Sequence, residues 1–65
     1  MNGYQMGTIT LRRKPIRFHN GDLAKIWADR WPEARRVVLG DDGKWWVVVP
    51  ADAATLEKNG YEVIR

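Results

Sequence analysis

Two runs of β-branched and aromatic residues flank an Asp-Gly pair in the second half of the chain, and this pattern limits the possible folds most. The runs cover residues 36–40 and 44–49, and the pair is Asp42 and Gly43. Asp-Gly tolerates the positive φ angles of a two-residue hairpin turn between strands. The pattern therefore predicts an antiparallel β-hairpin.

Both faces of this predicted hairpin are apolar. With Asp42 and Gly43 as the turn, Leu39 is expected to lie opposite Trp46. Side chains alternate along a strand, so each face can be listed from the sequence. One predicted face holds Trp46, Val48, Val37 and Leu39, and the other holds Trp45, Val47, Val49 and Val38. One face is expected to form the core under helices, while the other needs a partner or remains exposed around one tryptophan.

A short helix should follow the hairpin. Pro50 suits the first helical position, and the carboxylate of Asp52 is favoured in the first turn. Gly60 suits a left-handed terminator, after which Tyr61 packs back against Leu56. The helix is thus predicted over residues 50–59.

The residues after this helix complete a crossover. Residues 61–64 are apolar enough to form a last strand. A strand, a helix and a second strand in succession favour a parallel arrangement of the two strands. The last strand is therefore expected to run parallel to residues 44–49, either adjacent or one strand removed.

The N-terminal third begins with a segment that shows no period, so residues 1–7 are expected to fray, at least in part. Alternation over residues 8–12 predicts a half-buried strand. Ile16 and Phe18 continue that alternation after Pro15, which donates no backbone hydrogen bond. Pro15 therefore predicts a sheet edge, a bulge or a turn near Lys14, and the first strand is either continuous or split at Pro15.

A first helix is predicted over residues 21–31. Asn20 is a favourable N-cap, and Pro32 ends the helix because the residue before proline avoids helical angles. Its large apolar residues recur at helical spacing and are expected to face the core. They are Leu23, Ile26, Trp27 and Trp31.

These elements assemble into an α+β fold. Their order is β-α-β-β-α-β, which predicts a two-layer sandwich with about four mainly antiparallel strands and both helices on one face. Residues 8–65 are expected to form a single domain, since no linker or repeat interrupts them. The order resembles the split β-α-β arrangement of ferredoxin-like folds, a layout that many functions share.

The positive charge is concentrated near the N-terminus. The chain has a net charge of +3, and its first 21 residues contain four basic residues and no acidic one. Those residues are Arg12, Arg13, Lys14 and Arg17. Such a block attracts polyanions at long range, and basic side chains also protect a sheet edge from pairing with other molecules.

The composition argues against an enzyme. The chain has no serine and no cysteine, and His19 is its only histidine. Catalytic triads built on Ser or Cys are therefore impossible, and neither a metal site nor a cofactor is predicted. The absence of cysteine and of a long apolar stretch favours a cytoplasmic protein that does not bind membranes.

Two functions remain open, and a third outcome is that residues 1–7 fold back over one tryptophan and leave no site. One is nucleic-acid binding, with the four basic residues contacting phosphates and an exposed Trp45 or Trp46 stacking on bases. The alternative is a protein-interaction or homodimerisation module that uses an exposed sheet face, where Trp and Arg dominate binding energy. Both functions assign the site to the same six residues, Arg12, Arg13, Lys14, Arg17, Trp45 and Trp46. The expected partner is a nucleic acid or an acidic protein surface, and the expected state is a monomer or a weak homodimer.

Overall fold

The computed structural model describes residues 3–64, which form six strands and two helices. In chain order they are β1 (Tyr4–Met6), β2 (Ile9–Leu11), β3 (Ile16–Phe18), α1 (Gly21–Arg30), β4 (Arg36–Leu39), β5 (Trp45–Val48), α2 (Pro50–Lys58) and β6 (Glu62–Ile64). Strands β1 and β2 form one antiparallel sheet, and the other four form a second in the order β3-β5-β4-β6. The predicted α+β class is confirmed.

The hairpin between β4 and β5 forms, but its register differs by one residue from the prediction. The N–H of Gly43 donates to the Gly40 carbonyl over 3.2 Å, and Gly43 has a φ of +80°. The turn is a three-residue loop in which Gly43 takes the left-handed position. Leu39 consequently lies opposite Trp45 and not opposite Trp46.

The shifted register changes which side chains of β4 and β5 share a face. The face that contains Trp46 also carries Val38 and Val48. The opposite face carries Trp45, Val37 and Val47. The predicted pairing of Trp46 with Val37 and Leu39 on one face is therefore wrong, because a shift of one residue exchanges the two faces of the partner strand.

The two helices cover opposite faces of the four-stranded sheet. Helix α1 packs on Val37 and Val47, whereas α2 and the β1–β2 sheet pack on Val38, Trp46 and Val48. The prediction of a two-layer sandwich with both helices on one face is wrong. Each apolar face of a sheet needs its own layer of cover, and this sheet has two such faces.

The predicted first strand is split at Pro15 into strands of different sheets. Strand β2 pairs with β1, while β3 pairs with β5. The bend between them is held by Asp52 of α2, which is 2% exposed. Its carboxylate accepts hydrogen bonds from the backbone N–H groups of Arg12 and Arg13, at 2.7 and 3.1 Å. The position of Asp52 in the first turn of α2 is as predicted, and the carboxylate also fixes a distant loop.

Strand β1 lies within the segment that was expected to fray in part. It pairs with β2 after a turn in which Gly7 has a φ of +57°. Tyr4 and Met6 pack against the core cluster that contains Trp46. Of the segment 1–7, Met1 and Asn2 lie outside the described residues.

The helix ends follow the local sequence signals. The side chain of Asn20 accepts hydrogen bonds from the N–H groups of Asp22 and Leu23, at 2.8 and 3.2 Å, and α1 ends at Arg30, one residue before the predicted end. In α2, Gly60 has a φ of +93° and the Tyr61 N–H donates to the Leu56 carbonyl over 3.1 Å. These contacts confirm the predicted N-cap of α1 and glycine terminator of α2.

The last strand also has the predicted direction. Strand β6 pairs antiparallel with β4, which itself pairs antiparallel with β5. Strands β5 and β6 are therefore parallel and separated by one strand. The prediction of a parallel crossover through α2 is confirmed.

Candidate interaction surface

The six residues assigned to the site from sequence do not lie on one surface. Arg12, Arg13 and Lys14 are exposed in the loop between β2 and β3. Arg17 lies on β3 opposite Trp46 of β5. Trp45 points to the other face of the sheet, toward α1. The structure therefore brings Arg17 and Trp46 together and separates both from Trp45.

Trp46 is part of the core. It is 1% exposed, and its indole N–H donates to Asp42 over 3.1 Å. The Tyr61 ring lies 5.7 Å from its centroid, and a Cβ placed on Gly40 would overlap the indole. The hairpin turn, α2 and the β1–β2 sheet thus enclose this ring, so Trp46 cannot be the predicted exposed tryptophan.

Arg17 is held by three contacts on the same side of the sheet. Its guanidinium lies 5.1 Å from the Trp46 ring centroid and donates to the Tyr4 hydroxyl over 3.0 Å. Its Nε lies 3.3 Å from the Asp42 carboxylate. The hydrogen bond to Tyr4, together with the charge of Asp42, raises the pKa of Arg17. These contacts give Arg17 a structural role, since a ligand would have to displace them.

Trp45 is half-buried beneath the start of α1. A Cβ placed on Gly21 would lie 3.0 Å from the indole, so the helix approaches the ring through a residue without a side chain. Trp45 packs with Val37 and Val47 in the cluster under α1. The expectation of one freely exposed tryptophan in the pair is wrong, because helices cover both faces of the sheet.

Most of the exposed large apolar side chains of residues 3–64 lie instead on the outer flank of α1, and a further one, Ile16 of β3, is 42% exposed. Leu23 is 56% exposed, Ile26 is 48% exposed and Trp31, just after the helix, is 40% exposed. They line a cleft of about 310 Å³ together with Phe18 of β3. We define the α1 surface as the lining of this cleft: Phe18, Leu23, Ile26, Trp27, Arg30 and Trp31.

The periodic apolar residues of α1 were predicted to face the core, and this prediction is wrong for Leu23, Ile26 and Trp31. Trp27 alone of the four packs against the core. The buried side of the helix consists of Ala24 and Ala28, with Gly21 in the same row. Small side chains let the helix approach a sheet face that already carries Trp45. The spacing of these small residues was the sequence signal that could have located the buried side.

The aromatic residues of the α1 surface contact one another in a row. The Trp27 and Trp31 centroids are 4.4 Å apart and stacked, and Phe18 lies 6.1 Å from Trp27. The guanidinium of Arg35 lies 5.5 Å from the Trp31 centroid. Trp31 is therefore in contact with both an aromatic ring and a guanidinium group of the protein.

A second cleft, of about 300 Å³, lies beside the α1 surface. Arg13, Lys14 and Arg35 line it together with Ile16 and the end of β5. We call this lining the basic cleft. It includes two of the four basic residues selected from sequence, and Arg35 is a further contributor that the sequence pattern did not indicate. Arg12 and Arg17 do not line it.

Another cleft, of about 460 Å³, lies between the hairpin turn and the end of α2. Two of its polar side chains are engaged within the protein. The Tyr61 hydroxyl donates to Asp41 over 3.1 Å, and the Asn59 amide donates to the Thr55 carbonyl over 2.8 Å. Burial and the nearby Asp41 raise the pKa of Tyr61. The contact between Tyr61 and Asp41 ties the hairpin turn to the residues that follow α2.

Comparisons with protein-family models, with curated proteins and with solved structures found no match to this chain. Within residues 3–64, no three His, Asp or Glu side chains come close enough together to hold a metal ion. In the same range, neither helix has the length and apolar character needed to cross a bilayer. Function therefore has to be inferred from the two adjoining clefts.

Proposed function

We propose that this chain is a small non-enzymatic module that binds a partner protein with an acidic surface through the α1 surface. One observation carries the proposal: Leu23, Ile26 and Trp31 are exposed side by side in one cleft, at 56%, 48% and 40%. A cluster of large apolar side chains in water is typical of a binding surface. Helix α1 covers one face of the four-stranded sheet, and α2 with the β1–β2 sheet covers the other. The binding surface is therefore on the flank of α1 and not on the sheet.

The contacts of the tryptophans favour a protein partner over single-stranded nucleic acid. Base stacking needs a free ring face. Trp27 stacks on Trp31 and the Arg35 guanidinium lies over the same ring, while Trp46 is buried and Trp45 is half-buried under α1. A protein partner can instead use the exposed ring edges and the aliphatic side chains. The basic residues then steer an acidic partner toward the surface.

Site-specific photo-crosslinking tests this proposal. A benzoylphenylalanine at position 23 would lie in the α1 surface, and the same group at position 58 would lie on α2, on the other side of the sheet. In cells that naturally make the protein, we expect position 23 to form protein adducts that position 58 does not form. The substitution Ile26→Ser in the labelled chain should reduce those adducts.

The opposite results would overturn the proposal. Equal adducts from the two positions, or no protein adduct from position 23, would show that the α1 surface has no specific partner. Adducts with nucleic acid would support the alternative function. Urea unfolding of each labelled chain provides the control that the fold is intact. Ile26 is 48% exposed, so its replacement should leave the core unchanged.

A further inference from the structure

The α1 surface and the basic cleft adjoin each other. Trp31 lines the first and Arg35 lines the second, and the guanidinium of Arg35 lies 5.5 Å from the Trp31 ring. Phe18 and Ile16 connect them in the same way, because residues two apart on a strand point to one face. A single ligand can therefore contact both clefts at once.

Every charged residue that lines these two clefts is basic. They are Arg30 in the α1 surface and Arg13, Lys14 and Arg35 in the basic cleft. Within residues 3–64, the side chains of Arg13, Lys14 and Arg30 form no hydrogen bond or ion pair with the protein. Arg35 is already engaged, since its side chain is 12% exposed, donates to the Ala34 carbonyl over 2.9 Å and lies 3.5 Å from Glu33. Arg13, Lys14 and Arg30 are thus the cations available to an external anion.

We infer that the partner contributes one amphipathic acidic segment that occupies both clefts. This inference rests on the proposed protein-binding function and specifies its ligand. Apolar side chains of the segment fill the α1 surface against Leu23 and Ile26. Carboxylates of the same segment pair with Arg13, Lys14 and Arg30, where bidentate contacts of the guanidinium groups add specificity. One segment can make both kinds of contact, because the clefts are adjacent.

The segment binds through side chains and does not add a strand to the sheet. Strand β3 forms one edge of the four-stranded sheet and is three residues long. Pro15 precedes it, and Arg17 lies at its centre. Short length, proline and charge are the features that protect an edge from further pairing. The backbone groups within α1 are hydrogen-bonded inside the helix, so its apolar flank offers none for strand pairing. A ligand on this flank therefore has to be recognised by side chains.

Selection from a random peptide library displayed on phage tests the inference, and it does not require the partner to be identified first. Peptides of roughly 16 residues reach about 24 Å as a helix, which matches the 24 Å middle dimension of the molecule. The full chain is immobilised and peptides are selected at low salt. We expect the enriched peptides to be net acidic and to contain several large apolar residues.

Variants of the chain then separate the two contacts. Ile26→Ser should weaken binding of the enriched peptides about tenfold, as expected for a central apolar anchor. The double substitution Arg13→Glu and Lys14→Glu should weaken it by about tenfold or more and reduce its salt dependence. Lys58→Glu on α2 reverses an equally exposed charge far from both clefts and should change affinity by about twofold at most.

Four results would overturn the inference. The first two are enrichment of neutral or basic peptides and no enrichment over the bare support. The other two are an affinity of the enriched peptides that does not change with the Arg13 and Lys14 substitutions, and tighter binding of a poly-dT oligonucleotide than of any enriched peptide. These outcomes are distinct from failure of the proposed function. Adducts from position 23 without selection of acidic peptides would leave protein binding in place and exclude the acidic segment. If position 23 forms no protein adduct and no acidic peptide is selected, both the proposed function and this inference are wrong.

Discussion

Two aspartates show how single side chains connect parts of this small fold that are distant in sequence. Asp52 joins α2 to the loop after β2 by accepting two backbone N–H groups. Asp42 joins the hairpin turn to Trp46 and Arg17. Sequence signals assigned both residues local roles in a turn and a helix start. Their long-range roles depend on which elements pack together, which no local pattern contains.

Replacement of Asp52 should destabilise the fold strongly. Asp52→Ala removes both acceptors and leaves the N–H groups of Arg12 and Arg13 without partners in a site where Asp52 itself is 2% exposed. The expected loss in the free energy of unfolding is about 2–3 kcal/mol, measured by urea denaturation. Asp29→Ala, on the exposed side of α1, should change it by about 0.5 kcal/mol or less. Equal effects of the two substitutions would contradict the role of Asp52.

Asp42 should make the stability of the fold sensitive to acid. The backbone N–H of Lys44, the Trp46 indole and the charge of Arg17 together lower the pKa of Asp42. A carboxylate with a lowered folded pKa stabilises the fold above its unfolded pKa, and this stabilisation is lost as the pH falls through the folded value. The loss is therefore expected below about pH 4.

The substitution Asp42→Asn isolates this effect. An amide oxygen can replace Oδ1, which accepts from both Lys44 and Trp46, while the charge facing Arg17 disappears. The urea concentrations at the midpoint of unfolding of the original chain and of Asp42→Asn should differ at neutral pH. They should converge as the pH is lowered through the pKa that Asp42 has in the folded state. A constant difference across the titration would show that the Asp42 charge does not contribute.

At the scale of elements, α1 packs on the sheet through its small residues, whereas the spacing of its large apolar residues predicts that those would face the sheet. Ala24 is fully buried, whereas Leu23 beside it is 56% exposed. The helix lies on Val37 and Val47 with Trp45 beneath its first turn, so the space between helix and sheet is filled mainly by the sheet. Only small residues of the helix fit there, and its large residues remain free to form the α1 surface.

A pair of substitutions tests this orientation. Ala24→Leu should destabilise the fold by about 1–3 kcal/mol, because the added side chain has to push α1 away from the sheet. Leu23→Ala should change stability by about 0.5 kcal/mol or less, since it shortens an exposed side chain. Urea unfolding of both variants provides the measurement. A larger loss for Leu23→Ala than for Ala24→Leu would place the apolar stripe in the core after all.

The hairpin shows why some features could be predicted from sequence and others could not. The Asp-Gly pair between apolar runs predicts a tight turn, and Gly43 does have positive φ. A two-residue turn and a three-residue loop both place a glycine in that conformation, however, so the pair alone does not determine the register. The helix ends at Asn20 and Gly60 depend on neighbouring residues only, and they were predicted. The candidate site was not, because its exposure depends on how α1 packs.

At the scale of the whole molecule, α1 covers one face of the four-stranded sheet, and α2 with the β1–β2 sheet covers the other. The outer flank of α1 is left as an exposed apolar region. The charged residues that line that flank and the adjoining basic cleft have one sign. Two copies that met through this surface would bring like charges together, which opposes association. The arrangement favours a different, acidic partner over a second copy of the chain.

This charge pattern predicts the oligomeric state and its salt dependence. In sedimentation equilibrium at about 0.01 M salt, where the Debye length is roughly 30 Å, the chain should remain a monomer at high protein concentration. At about 1 M salt the repulsion between the basic clefts is screened, and weak self-association through the α1 surface is expected. Ile26→Ser should abolish that association, whereas Lys58→Glu should leave it unchanged. A dimer that forms at low salt and dissociates as salt is added would contradict this prediction, because it would mean that attractive charge pairs join two copies. The acidic segment would then have to compete with a second copy for the same surface.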